Sequence, residues 1–76
     1  MKFLVTLNMP SRNGELVHQV VCNYPVDNIE QFMEALNEND FILVEEFYRK
    51  PDNGGFYPVG MMIMNTMHIG KVKMER

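Results

Sequence analysis

Seventy-six residues make one domain, residues 1–76, with 46% apolar and 22% charged side chains, a composition that folds rather than stays disordered. The single cysteine, Cys22, excludes an internal disulfide and four-thiolate zinc. A formal charge of −3 stands against sequence-independent nucleic-acid binding, which relies on a field of Lys and Arg.

No apolar run approaches the ~18 residues that span a bilayer. The opening Lys2-Phe3-Leu4-Val5 run is soon interrupted by Thr6 and Asn8, and no small-residue cleavage site follows. A soluble, cytoplasmic protein is expected, stabilised by packing or by self-association in place of covalent staples.

Residues 2–9, KFLVTLNM, alternate, with Phe3, Val5, Leu7 and Met9 on one face and Lys2, Leu4, Thr6 and Asn8 on the other. Period two over this length predicts a half-buried strand. Pro10 ends it, and Asn13-Gly14 supplies the positive φ angles of a hairpin turn. Leu16–Tyr24, rich in valine, is the return strand.

Pro25 stops that strand, and Asp27 stands three residues before Glu30 as a capping-box start. Ile29, Phe32, Met33 and Leu36 then fall at i, i+3, i+4, i+7, one apolar stripe of a helix over 27–38. FILVEEFYRK (41–50) is a third strand whose first four residues are apolar on both faces, which predicts a central position. PDNGG (51–55) repeats the Pro then Asn-Gly device of a hairpin turn. The fourth strand runs through VGMMIM, Asn65-Thr66 marks a bend, and Ile69–Met74 alternate again, with Val72 and Met74 opposed to Lys71 and Lys73. The expected fold is α+β: an antiparallel sheet of four or five strands in ββαββ order with one helix packed on one face.

Catalytic and metal chemistry find little support. Met61, Met62, Met64, Met67 and His68 are donors that suit Cu(I), but alternation sends strand neighbours to opposite faces, where they cannot converge. Methionine also fills irregular cores and interfaces. His18 and Cys22 share a strand face yet lie about 13 Å apart at ~3.3 Å per residue, too far for a nucleophile–base pair. Glu45 and Glu46 point to opposite faces, and Gly54-Gly55 precedes no helix that would hold a phosphate. A non-enzymatic protein without metal or cofactor is expected.

Two binding surfaces remain. Glu30, Glu34 and Glu38 repeat every four residues with no Lys or Arg among them. Such like charges repel by a few tenths of a kcal/mol per pair, and the later ones crowd the negative end of the helix dipole. Either the stripe solubilises, a basic side chain such as Lys2 or Arg12 reaches over it, or it meets a basic partner. Tyr48, Arg49, Lys50 and Tyr57 around the second turn, with Lys71 and Lys73, are candidates for nucleic-acid contact through stacking and phosphate binding. The alternative is that these charges protect strand edges from aggregation.

A single helix leaves the second face of the sheet bare, and that face carries apolar residues whichever way the strands turn. Homodimerisation is therefore expected, with Leu4, Met62 and Met64 as candidate interface residues. The element order looks like the layout of many small bacterial and bacteriophage accessory proteins, without any residue-level motif. The expected function is a small accessory or regulatory protein, a regulator or inhibitor acting through protein–protein contact. The alternative is a nucleic-acid-binding regulator.

Overall fold

A computed structural model describes residues 1–8 and 18–75. The strands are β1 (Lys2–Leu7), β2 (His18–Asn23), β3 (Phe41–Arg49), β4 (Phe56–Asn65) and β5 (Ile69–Met74). One helix, α1 (Ile29–Glu38), lies between β2 and β3, and a 3-10 turn, Thr66–His68, links β4 to β5. All pairings are antiparallel, in the order β4-β3-β2-β1-β5. The α+β class is as the residue pattern predicts, with the last strand divided in two at Asn65-Thr66. Pro10, Asn13-Gly14 and Arg12 lie outside the described residues.

The period-two pattern of β1 sorts cleanly, with Phe3, Val5 and Leu7 buried and Lys2, Leu4 and Thr6 half-buried on the far side. Val20, Cys22, Ile42, Val44 and Met64 complete the sheet's contribution to the core. The helix adds one fully buried side chain, Phe32. Its ring stacks on Phe3 at 4.1 Å between centroids, and Tyr24 tilts against it at 5.3 Å. Such aromatic pairs contribute about 0.5–1.5 kcal/mol beyond the area they bury.

The helix starts one residue later than the sequence suggests. Asn28, not Asp27, is the cap: its side chain accepts from the Gln31 amide at 2.9 Å, while Gln31 Oε1 accepts from the Asp27 amide at 2.8 Å. Asn28 thus caps in place of Asp27, because Asn caps as well as Asp, and Gln31 in place of Glu30 reaches back to the Asp27 amide, one residue before the cap.

The second hairpin forms as expected. The Lys50 amide donates to the Gly55 carbonyl, and Gly54 takes the left-handed φ of 72° that the turn requires. The ladder slips between Glu46 and Phe47, opposite Gly60, whose φ of 148° suits only glycine. The centre of the sheet is β2 rather than β3. Its ladder with β3 covers only Glu45 to Phe47, so Phe41–Val44 extend past β2 as a ribbon with β4. The run that is apolar on both faces is therefore not buried on both.

The sheet is strongly curled. β4 and β5 are opposite edges, about 19 Å apart if the sheet were flat, yet the four steps from Asn65 to Ile69 span at most ~14 Å. The 3-10 turn closes this gap: the Thr66 amide donates to the Asp40 carbonyl, and the Asn8 amide donates to the His68 carbonyl. Along the opposite diagonal Arg49 reaches Glu75 at 3.2 Å. Corners that a flat sheet would hold apart are thus brought close, as strong twist requires.

Deleting the Phe32 ring should be close to lethal for the fold. Phe32→Ala is expected to cost about 3–5 kcal/mol, comparable with the whole stability of so small a domain. Urea denaturation would register it as loss of the folded baseline, while Phe32→Leu retains a cooperative transition.

Candidate functional site

The cations of the sheet gather on one side. Lys2, whose ammonium lies 4.8 Å from the Phe47 ring centroid, is on the face away from the helix. Lys71 and Lys73 are exposed on that same face, opposite Thr6 and Leu4 in the ladder. Arg49 joins them, stacked over Phe56 at 4.8 Å and paired with Glu75. Lys50 stands at the second turn with Asp52.

The helix side carries most of the described acids, whereas Glu45, opposite Met61, and Glu75, paired with Arg49, lie on the open face. Glu30, Glu34 and Glu38 are all exposed, Asp27 and Asp40 flank the helix, and Glu46 lies on the helix-side face of β3 opposite Cys22. Among the described residues the one ion pair is Arg49–Glu75. Lys2, one of the side chains expected to reach over the stripe, is on the other face. The stripe thus has no described cation beside it.

The basic and aromatic candidates divide between faces. Tyr48 and Tyr57 meet edge to face at 6.0 Å, alternating with Phe47 and Arg49 and so lying on the helix side of the ribbon. Arg49, Lys71 and Lys73 are on the open side. The two tyrosines and the three cations therefore do not line one surface.

The methionines also divide. Met64 is buried and Met62 packs against the core, both opposite helix-side residues of β3. This removes Met62 and Met64 as interface candidates and leaves Leu4, half-buried on the open face. The residues left bare are their neighbours. Phe41, Leu43, Met61 and Ile63 are 61%, 55%, 62% and 68% exposed, with Leu43 directly opposite Ile63. Period two identified the two candidate sets, and only the helix's choice of face decided between them. Met67, on the 3-10 turn, is 82% exposed and separate from both.

Among the described residues the metal-ligating and thiol groups stay apart. No group of three His, Cys, Asp or Glu side chains converges as metal ligands. Cys22 opposes Phe3 on β1, whereas His68 binds at Asn8, five residues or about 16 Å further along. Two hollows exist. One, of about 390 Å³, opens where β2 and β3 part and is lined by Gln19, Val21, Phe47 and Tyr57 among others. The other, of about 360 Å³, is lined by Leu7, Val20, Met62 and Met64 together with Glu46, Asn65 and His68. Ser, Thr and Cys line neither.

Comparison of the chain with protein-family models, curated proteins and solved structures finds no match. No described helix is long and apolar enough to cross a membrane.

Burial pushes the Cys22 thiol up to about 11 from its ordinary 9.0, with the nearby Glu46 carboxylate adding to the shift and the amino terminus opposing it. The unfolded thiol ionises first, so its stabilising effect is complete below pH 9.0 and disappears as pH rises to about 11. Thermal melts from pH 8 upward should show Cys22→Ala losing less stability per pH unit than the parent chain. Identical slopes would mean that the thiol is not protected.

Proposed function

We propose that this chain is a non-enzymatic regulator that works by protein–protein contact, and that the outer side of α1 is the surface it offers. The observation that carries this is the segregation of charge. A net charge of −3 conceals two unlike sides, and the helix side has acids without described Lys or Arg. Glu30, Glu34 and Glu38 repel one another along the helix and sit badly with its dipole, so local stability does not account for them. A basic protein surface would be drawn to them over several ångströms and held in register. The protonated, buried thiol and the divergent acids of β3 support a non-enzymatic role.

The test is capture from extract of the source organism on immobilised protein. Converting Glu30, Glu34 and Glu38 together to Gln should reduce recovery of specifically bound protein several-fold at low salt. The same change should leave the melting temperature equal or slightly higher, because like-charge repulsion is relieved. Undiminished recovery would reduce the stripe to a solubilising role.

A second reading, nucleic-acid contact, rests on Lys2, Arg49, Lys71 and Lys73 sharing the open face. It is the weaker one, since Lys2 and Arg49 already cover the rings of Phe47 and Phe56 and Glu75 neutralises Arg49. A labelled single-stranded oligonucleotide separates the two readings. Binding that weakens steeply with salt and is lost in Lys71→Gln/Lys73→Gln would favour nucleic acid; absence of binding leaves the protein-contact reading in place.

A further inference from the structure

We infer that the open face of the β3–β4 ribbon is a contact between two copies of this chain, ribbon packed on ribbon with Phe41, Leu43, Met61 and Ile63 at its centre.

Area is the first argument. Four large apolar side chains, each more than half exposed, leave on the order of 400–500 Å² of contiguous apolar surface, the size of the patches that in soluble proteins are often functional. A two-fold contact covers this patch on both copies. With the flanking backbone and rim it approaches the ~1,200 Å² at which specific interfaces begin.

Shape is the second argument, and it selects the occupant. Antiparallel strands twist with a fixed hand, which makes the face a saddle, and its corners are tied by the bonds of the 3-10 turn to Asp40 and Asn8 and by the Arg49–Glu75 pair. Rotating a saddle by half a turn about an axis in its own plane, parallel to the strands, reproduces the same surface from the opposite side. An identical copy therefore fits without any change of shape, as twisted sheets do when they pack nearly aligned and ~10 Å apart.

Charge is the third argument. Phe56–Asn65 contains no Asp, Glu, Lys or Arg, and the ribbon's open-face carboxylate, the half-buried Glu45 opposite Met61, stands at the end of the bare cluster beside Asn23 of β2, whereas β5 at the other edge carries Lys71 and Lys73. With the axis running along the ribbon, the β1–β5 half of each copy extends to the opposite side. Lys71 and Lys73 of the two copies then stay apart and in water, and Leu43 of one copy faces Ile63 of the other. An axis across the strands would instead set lysines against lysines. The inference is independent of the acidic helix, which lies on the other side of the sheet.

Sedimentation velocity over about a hundred-fold concentration range is the experiment. The parent chain should run as a species of twice 8.9 kDa at the upper concentrations. Ile63→Lys and, separately, Leu43→Lys should weaken association by at least about 30-fold, with far-UV circular dichroism unchanged because both sites are exposed. Met67→Lys, exposed but off the ribbon, should leave association as it was. A monomer at all concentrations overturns the inference, and so does a dimer that survives both ribbon substitutions while they remain folded. Loss of partner capture in the helix variant with the sedimenting mass unchanged bears only on the helix surface, so the two ideas fail separately.

Discussion

The fold depends on Phe32 lying flat against Phe3. Among the described residues a ten-residue helix with one fully buried side chain covers a five-stranded sheet. That stack decides which face becomes the interior. Once Phe3 is inside, alternation and the ladder registers place Val5, Cys22, Val44 and Met64 inside with it. The same registers put Leu43, Met61 and Ile63 outside. A one-residue slip would exchange the two sets, and the chain carries enough apolar residues on both for either to resemble a core.

The same division organises charge. Acids on and around α1 stay clear of the interior, and the cations of the sheet are set on the open face, where two of them cover aromatic rings. The β4 edge is treated differently from the β5 edge. Lys71 and Lys73 guard β5 in the manner of edges that must not pair. β4 has only Pro58 and the Gly60 bulge in its first half, and its second half, Met61–Asn65, is unguarded. The part of the molecule without protective charge is thus the part with the largest apolar exposure.

Much of this was legible before any coordinates. Period two in β1, the i, i+3, i+4, i+7 stripe of α1, the Asn-Gly turn at 53–54 and the break at Asn65-Thr66 each rest on local chemistry, and local chemistry is what a sequence records directly. Four features were not. The cap moved to Asn28 because Asn and Asp serve equally well there, so adjacent candidates compete. β3 reads as central because Phe41–Val44 are apolar throughout, yet a ribbon with one bare face gives the same pattern as a strand buried on both. The assignment of Met62 and Met64 to an interface failed for a related reason: alternation pairs them against Met61 and Ile63, and only the docking of the helix selects the set that is covered. The segregation of charge was also invisible to the net value, because it depends on the strand order β4-β3-β2-β1-β5.

Methionine oxidation, followed residue by residue with mass spectrometry under dilute hydrogen peroxide, tests the two-sided sheet most directly, since adjacent methionines of one strand report on opposite faces. The account predicts rapid oxidation of Met67 at every protein concentration, with Met64 reacting only as the chain unfolds. Met61 should be rapid in dilute protein and slower as concentration rises. Equal rates at Met61 and Met64 in dilute native protein would contradict it.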